Sequence, residues 1–245
     1  MTVAGRWALA LAGAVSVAFS PSLTSTQITR TAGRSVLMRS PDGRMVSGVF
    51  VEAGQAPAAA VVLVPMLGRS RDDWDGAIES FAQANITALA IDLPSGTLPP
   101  DEKALAAWHT AIGAALDYLI VRPDVRASAI GIVGASLGAT LATLAAAEDP
   151  RVRSLALLSP SLDYRGVSIA GPLKAYGERP ALLVASRGDP YAARTVRELA
   201  AGAPGLREVL WSDVPAHGTI LLARQPELSR SLVEWFRRTI GSGPE

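Results

Sequence analysis

The stretch Gly134-Ala135-Ser136-Leu137-Gly138 decides the fold of this chain. The five residues before it are small, apolar and mostly branched, as in a buried parallel strand. The ten residues after it are rich in alanine and leucine and favour a helix. A serine on the sharp turn between such a strand and helix holds its hydroxyl above the sheet edge, as a nucleophile must be held. We expect both flanking glycines to be required, because the strained turn and the close helix–strand contact leave no room for side chains.

The chain order of an acid and a histidine after Ser136 supplies a second signal. Only one of the two histidines, His217, follows Ser136, and it lies between a strand-like segment and a C-terminal helical segment. Between Ser136 and His217, an apolar strand ends in a loop that carries Asp189. All three residues therefore come just beyond the carboxyl end of a predicted strand, in the order serine, acid, histidine.

This motif and this order resemble the α/β-hydrolase superfamily, specifically its single-domain esterases of the dienelactone-hydrolase-like kind. The resemblance extends from about residue 35 to residue 240. Dienelactone hydrolases themselves carry a cysteine at the nucleophile position, whereas this chain contains no cysteine. The resemblance therefore implies serine chemistry, and not the reaction for which that family is named.

Ser136, Asp189 and His217 are predicted to form a catalytic triad. A serine hydroxyl is a weak nucleophile and needs a base in contact with it, and His217 is the histidine that follows Ser136. Asp189 would hold the imidazole in one tautomer and stabilise its cation. Asp163 and Asp213 are alternative acids, and an alternative interpretation of Asp189 is that it only caps the next helix.

The oxyanion of an acyl-transfer reaction needs two backbone N–H donors that are already in place. One predicted donor is the N–H of Leu137, next to the nucleophile and at the start of a helix. The other is predicted in the turn after the strand at 58–64, from either Met66 or Leu67. Many relatives have His-Gly where this chain has Pro65-Met66, a difference that backbone donors tolerate.

Other polar residues have simpler interpretations. His109 lies in a helical segment beside Trp108 and precedes the nucleophile, so we expect a structural role. Asp92 follows a strand and is expected to support its own loop. Tyr164 and Arg165 follow another strand, and we interpret them as solvated loop residues, with pocket lining or binding of a substrate carboxylate as the alternative.

Strands and helices alternate along the chain, which predicts a mostly parallel sheet with helices on both faces. Ligands bind such a sheet beyond the carboxyl ends of its strands. A capping box of Ser70 and Asp73 is expected to begin the first helix. Predicted strands lie at 35–38, 45–51, 58–64, 86–91, 129–133, 154–158, 181–185 and 208–211, with helices from 70 and at 101–121, 139–148, 192–201 and 226–240.

The segment at 159–180 is short and rich in proline and glycine, which argues against a large lid domain. We therefore expect an open, shallow site suited to small or medium esters. No metal or cofactor is expected, because two distant histidines and no cysteine make a zinc site hard to build. With 49% apolar and 18% charged residues, the chain is predicted to be globular. Its net charge is +1 and its charged residues are scattered along the sequence, so no nucleic-acid partner is expected.

The N-terminal 25 residues are predicted to be a signal peptide and spacer, with a single α/β-hydrolase domain at 26–245. Arg6 precedes about 13 mostly apolar residues, which fit a signal-peptide core. They are too few to span a bilayer, which needs about 20 residues. We expect export to the periplasm or medium, with no stable membrane span after removal of the signal; an uncleaved N-terminal membrane anchor is the alternative.

These features together predict an exported serine esterase that cleaves a small or medium carboxylic ester or thioester through a seryl acyl-enzyme. Its partner would be a small-molecule ester. One alternative is a peptidase or an acyltransferase with the same triad. Another is a binding protein that has the hydrolase fold but no catalytic activity.

Overall fold

Eight strands form one central sheet in the computed structural model, which describes residue 1 and residues 33–94, 98–99 and 101–241. Strand β2 (Met45–Val51) pairs antiparallel with β1 (Arg34–Arg39) and β4 (Ile86–Ile91), and all other neighbours are parallel. The predicted fold class is therefore confirmed. The order across the sheet is β1 (Arg34–Arg39), β2 (Met45–Val51), β4 (Ile86–Ile91), β3 (Ala58–Val64), β5 (Val125–Ala135), β6 (Val152–Leu158), β9 (Ala181–Ser186) and β10 (Arg207–Ser212).

The central strands are continuous apolar runs because both of their faces are covered. Every residue of β3, β4 and β9 is buried, whereas β10, at one edge of the sheet, is mostly half-buried. Alternate residues of β3 contribute to different hydrophobic clusters, Val62 to one face and Leu63 to the other. The sheet thus separates two layers of core.

Helices cover both faces of the sheet. The helices are α1 (Asp75–Gln83), α2 (Glu102–Ala106), α3 (Thr110–Ile120), α4 (Leu137–Glu148), α5 (Ala170–Ala175), α6 (Pro190–Gly202), α7 (Ile220–Arg224) and α8 (Glu227–Phe236). One cluster includes side chains of α2 to α6, and the other includes side chains of α1, α7 and α8.

Helix α8 packs unusually close to the middle of the sheet. A Cβ on Gly131 of β5 would overlap the ring of Phe236. The indole N–H of the neighbouring Trp235 donates to the carbonyl of Leu155 in β6 at 2.9 Å, and both aromatic side chains are fully buried. The last long helix therefore completes the core beneath β5 and β6.

A cluster of arginine and tyrosine side chains lies at the amino ends of β6, β9 and β10. Arg179 donates to the carbonyls of Ala146, Asp149 and Val152 at 2.7–3.0 Å, and its guanidinium lies 4.0 Å from the ring centre of Tyr176. Burial lowers the pKa of Arg179 and raises the pKa of Tyr176. The carbonyls of Ala146 and Asp149 lie at the end of α4, which leaves them without helical partners, and Val152 begins β6. The side chains of Arg179 and Tyr176 are called here the Arg179 cluster.

The predicted single helix at 101–121 is wrong in one respect. Helices α2 and α3 are separated by a turn of 3₁₀ helix, Ala107–His109. The side chain of His109 lies 2.7 Å from the Ala106 carbonyl, and the hydroxyl of Thr110 donates to the Ala107 carbonyl at 2.9 Å. These side chains bind the carbonyls locally, which competes with the regular helical ladder.

Several boundaries also differ from the prediction. Strand β5 begins four residues earlier than expected, and α8 continues into a π turn at Arg237–Gly241. The segment at 159–180 forms β7 (Asp163–Tyr164), β8 (Val167–Ser168) and α5, and within its described residues there is no lid domain. The predicted signal peptide and spacer at 1–25 lie outside the described residues, apart from Met1. None of the described helices has the length and hydropathy needed to cross a membrane.

Candidate active site

Ser136 lies on the turn between β5 and α4. Its backbone has φ +51° and ψ −117°, a conformation that residues other than glycine rarely adopt. The N–H of Ser136 donates to the carbonyl of Leu158 in β6 at 2.9 Å, and the Ser136 carbonyl accepts from Ala139 and Thr140. The neighbouring strand and the first turn of the helix thus hold the strained residue in place.

The two glycines beside Ser136 allow the backbone segments to approach each other. A Cβ on Gly134 would overlap the carbonyl of Gly138, and a Cβ on Gly138 would overlap the carbonyls of Val64 and Pro65. The expected need for glycine at both positions is confirmed. The contact at Gly138 also sets the start of α4 against the end of β3.

His217 lies in a loop between β10 and α7, at residues 215–219, called here the His loop. Its Nε2 is 2.8 Å from the hydroxyl oxygen of Ser136, although the two residues are 81 positions apart. The His217 side chain is 41% exposed, so a small molecule and water can reach the imidazole.

Asp189 follows β9 and contacts the other side of the imidazole. Its Oδ2 is 2.6 Å from Nδ1 of His217, and its Oδ1 accepts from the N–H of Ala192 at 3.2 Å. Because an ionised carboxylate only accepts, Nδ1 carries the proton and Nε2 is left to accept from the hydroxyl of Ser136. Asp189 therefore caps α6 and also contacts His217.

The predicted oxyanion donors lie on two neighbouring segments. Leu137 is the first residue of α4, where backbone N–H groups have no partner within the helix. Residues 65–68, called here the β3 loop, contain Met66 and Leu67. The N–H of Arg69 donates to the Met66 carbonyl at 3.2 Å, and Gly68 has φ +71°, so the loop ends in a tight turn. The structure thus brings the start of α4 next to the β3 loop.

Several solved structures share this architecture. A dienelactone hydrolase from Anabaena variabilis is 19% identical, with a TM-score of 0.70, over 86% of this chain and 99% of that one. An esterase from Pyrococcus furiosus is 16% identical, with a TM-score of 0.71, over 86% of this chain and 92% of that one. An α/β-hydrolase from Penicillium, GrgF, is 13% identical, with a TM-score of 0.71, over 85% of this chain and 99% of that one. This chain has the α/β-hydrolase fold. No protein-family model and no curated sequence matches it.

The other acids that the sequence offered lie elsewhere in this α/β-hydrolase fold. Asp163 accepts from the N–H of Gly166 in the turn between β7 and β8. Asp213 is 91% exposed and pairs with Arg187 at 3.1 Å. Asp189 is the acid that the structure brings to His217.

The remaining polar candidates support local structure. His109 lies between the Ala106 carbonyl and the carboxylate of Glu148, 2.8 Å from the latter. Asp92 accepts from the N–H and the guanidinium of Arg71, so it links the end of β4 to the segment before α1 rather than supporting only its own loop. Tyr164 and Arg165 belong to the small β7–β8 hairpin, in which Arg165 has φ +53°.

Three serines that the sequence analysis did not single out help to place the loops of the site. Ser159 follows β6, and its hydroxyl accepts from the N–H of Gly218 beside His217 at 3.0 Å. Ser186 ends β9 and donates to the Val214 carbonyl at 2.7 Å. Ser212 ends β10, and its hydroxyl accepts from the Val214 N–H at 3.1 Å. The sequence signal that could have identified these three serines is their position at or just after the carboxyl end of a predicted strand.

The predicted capping box is wrong for Asp73. Ser70 accepts from the N–H of Asp72 and begins a 3₁₀ turn, Arg71–Trp74, while Asp73 binds Arg69 and Thr219. Burial opposes ionisation, but hydrogen bonds from Arg69 and Thr219 hold the pKa of Asp73 below its usual value. Asp73 is therefore an ionised carboxylate at neutral pH.

A cavity of about 440 Å³ lies beside the β3 loop. Apolar side chains, including Leu93 and Trp108, form part of its wall, and Ser47 and Asp92 add polar groups. Because Met66 and Leu67 also line it, the cavity adjoins the predicted oxyanion donors. Within the described part of the chain, no group of three or more His, Cys, Asp or Glu residues is placed to hold a metal ion.

Proposed function

We propose that this protein is a serine hydrolase that cleaves a small or medium carboxylic ester, or a thioester, through a seryl acyl-enzyme. The observation that carries the proposal is the chain of hydrogen bonds from the Ser136 hydroxyl through His217 to Asp189. The tautomer that Asp189 imposes leaves Nε2 free to take the proton of Ser136.

In the first half of the proposed reaction, Ser136 attacks the ester carbonyl as its hydroxyl proton passes to Nε2 of His217. The imidazolium that forms is stabilised by Asp189, which is only 17% exposed and so is weakly screened by water. His217 then gives the proton to the departing alcohol, and the acyl group remains on Ser136.

In the second half, water takes the place of the alcohol. His217 accepts a proton from the water, which attacks the acyl-enzyme, and Ser136 recovers its proton as the carboxylic acid leaves. The exposure of the His217 side chain supports this step because it gives water access to the imidazole.

Each tetrahedral intermediate has a negative oxygen, which the proposal assigns to two backbone donors. One is the N–H of Leu137, where the N-terminus of the 12-residue α4 also favours negative charge. The other is the N–H of Met66 or Leu67. Support comes from the approach of Gly138 to the β3 loop, which keeps these segments in contact.

The size of the substrate is proposed from the cavity beside the β3 loop, which Ser136, Asp189 and His217 do not line, and from the exposure of His217. A cavity of about 440 Å³ next to the β3 loop falls in the range of small-molecule sites. The short β6–β9 connection leaves His217 exposed, which suits small esters better than long-chain lipids. An esterase and a dienelactone hydrolase among the structural neighbours support hydrolase activity in general.

Hydrolysis of p-nitrophenyl esters from acetate to laurate tests the proposal, with wild type beside Ser136→Ala. We expect turnover to be greatest for short chains and to fall by about 10³-fold or more in the variant. Labelling by a fluorophosphonate probe should be lost at the same time. Circular dichroism controls for folding of the variant.

Two results would redirect the proposal. Probe labelling of Ser136 without ester hydrolysis would indicate amide or acyl-transfer chemistry on the same residues. Absence of both labelling and turnover would overturn the enzymatic proposal in favour of a binding protein.

A further inference from the structure

The His loop is held by the residues that follow the histidine. The N–H of Gly218 donates to the hydroxyl of buried Ser159, at the end of β6. Gly218 has φ +58°, and a Cβ there would lie 2.5 Å from the sulfur of Met66 in the β3 loop. Thr219, which is 2% exposed, donates its hydroxyl proton to Asp73. The imidazole position thus depends on several distant segments of the chain.

Asp73 joins the two loops on which the proposed chemistry depends. Its Oδ2 accepts from the Thr219 hydroxyl of the His loop and from Nε of Arg69 at 2.8 Å, while Oδ1 accepts from Nη2 of Arg69 at 2.6 Å. The backbone N–H of Arg69 in turn closes the tight turn of the β3 loop on the Met66 carbonyl. One carboxylate therefore contacts Thr219 of the His loop and Arg69, the residue that follows the β3 loop.

The surroundings of Asp73 make this link stiff. Its side chain is 13% exposed, and both of its oxygens accept hydrogen bonds from described partners. Thr219 is buried and its backbone carbonyl accepts from Leu222 and Ala223 of α7, so its hydroxyl has little freedom. A displacement of Asp73 would therefore move Thr219, and with it the His loop.

We propose that Asp73, acting through Thr219, is a positioning residue that sets His217 relative to the oxyanion donors of the β3 loop. This inference rests on the proposed serine hydrolase function. Proton transfer and oxyanion binding both depend on distances near 3 Å, and displacement of a reacting group by about 1 Å costs on the order of 10²-fold in rate. Asp73 touches neither Ser136 nor the substrate in this scheme.

A purely structural role for Asp73 makes a different prediction. The Arg69–Asp73 ion pair spans four residues, and the Arg69 side chain is 49% exposed, so the pair contributes little to stability. If the pair only stabilised the turn before α1, its loss would lower the melting temperature and leave kcat per folded molecule unchanged. The positioning role instead predicts a loss of kcat at nearly constant KM.

The test compares Thr219→Val with Thr219→Ser in the full-length protein. Valine keeps the shape of threonine without its hydroxyl, whereas serine keeps the hydroxyl. We expect kcat for p-nitrophenyl acetate to fall about 10-fold in Thr219→Val, with KM within about twofold, and to stay near the wild-type value in Thr219→Ser. The rate of fluorophosphonate labelling of Ser136 should fall in parallel, since it also depends on His217.

Asp73→Asn tests the other partner, and Asp72→Asn is its matched control. Asp72 is an exposed neighbour whose carboxylate contacts Ser70. We expect kcat to fall about 10-fold or more in Asp73→Asn and to be unchanged in Asp72→Asn. The double variant of Asp73→Asn and Thr219→Val should lose little more than the larger single loss, because both changes act on the same Thr219–Asp73 hydrogen bond: valine removes its donor, and asparagine replaces its charged acceptor with a neutral one. Melting temperatures show that the compared proteins are folded.

The outcomes separate this inference from the function on which it rests. If wild type hydrolyses esters in a Ser136-dependent way but Thr219→Val and Asp73→Asn keep kcat within twofold, the positioning role is overturned and the hydrolase stands. If wild type neither turns over nor labels, both are overturned. Equal losses in Thr219→Val and Thr219→Ser would also contradict the role of the hydroxyl.

Discussion

The two ends of the central strands both carry polar clusters, but the clusters differ in kind. At the amino ends, the Arg179 cluster consists of long side chains that donate to backbone carbonyls. At the carboxyl ends, Ser136, Asp189 and His217 are short side chains that bind one another. Backbone strain also occurs at the carboxyl ends, where Ser136 and Ser159 have positive φ.

This difference indicates what each cluster contributes. Arg179 pairs carbonyls near the end of α4 and the start of β6, so its value lies in the stability of the folded chain. The carboxyl-end cluster leaves a hydroxyl and an imidazole within reach of solvent and holds a serine in a strained conformation, which costs stability. We therefore expect changes at the carboxyl end to affect activity and changes at the amino end to affect unfolding.

Asp189→Asn should give the largest separation of activity from stability. The amide has no charge to stabilise the imidazolium and does not enforce the productive tautomer, so kcat should fall by about 10²–10⁴-fold. Steady-state hydrolysis of p-nitrophenyl acetate measures the loss, and urea unfolding measures stability. Asp213→Asn is the control, since Asp213 is 91% exposed and should leave kcat unchanged. A greater loss in Asp213→Asn would reverse the choice of acid.

Arg179→Met should have the opposite effect, lowering the free energy of unfolding and leaving kcat unchanged. It leaves the carbonyls of Ala146, Asp149 and Val152 without the guanidinium, which should reduce the free energy of unfolding by about 2–4 kcal/mol. Values of kcat for the folded variant should match wild type. Arg194→Met on the exposed face of α6 is the matched control and should unfold like wild type. Unchanged stability in Arg179→Met would contradict the stabilising role.

Gly138→Ala should lower both kcat and the free energy of unfolding, because this glycine lies where the strained turn contacts the β3 loop. The added Cβ overlaps the carbonyls of Val64 and Pro65, and we expect a loss of about 1–3 kcal/mol in unfolding free energy together with reduced kcat. Gly113→Ala in α3 is the matched control, since nothing lies within 4 Å of its added Cβ. That variant should gain about 0.5–1 kcal/mol and keep its activity. Equal effects of the two changes would show that the contact at Gly138 is loose.

The smallest expected effect is a pH dependence of stability from Asp149, near the Arg179 cluster. Burial would raise its pKa, but hydrogen bonds from Arg151 outweigh it and hold the pKa of Asp149 below the usual value. The folded state therefore binds its proton less readily than the unfolded state. This contribution is present above an unfolded pKa of about 3.9 and is lost as the pH falls below it.

Urea unfolding between about pH 3 and pH 7 measures that contribution. We expect the free energy of unfolding of wild type to decline toward the acid end, and the decline to be shallower in Asp149→Asn by less than about 1 kcal/mol. Identical pH profiles of wild type and variant would assign the acid sensitivity to other carboxylates.

The parts of this protein that could be predicted from sequence are those set by local pattern. Strand β3 is an unbroken apolar run, and the two glycines around Ser136 mark a turn with no space for side chains. Placement of the candidate residues beyond strand ends then followed from the parallel sheet. Whether their roles are catalytic stays a prediction until it is measured.

The parts that could not be predicted depend on partners far away in the sequence. The Ser70–Asp73 spacing indicated a capping box, but Asp73 binds Thr219, 146 positions later in the chain. Helix α7 has only five residues, too few to show a helical periodicity. The 3₁₀ turn between α2 and α3 reflects side chains that bind nearby carbonyls, which hydrophobic periodicity does not record.

The close packing of α8 beneath β5 has a consequence for synthesis of the protein. Until the ribosome has added the residues of α8, the strand that leads to Ser136 lacks the cover of Trp235 and Phe236. The face of this strand that α8 covers in the folded protein is then exposed to water. The strained turn then has only its hydrogen bonds to Leu158 and to the first turn of α4, without the packing beneath β5 that helps to offset its cost. A nascent chain that already contains Ser136, Asp189 and His217 should therefore not hold Ser136 in its folded conformation until the residues of α8 have been added and have packed against β5.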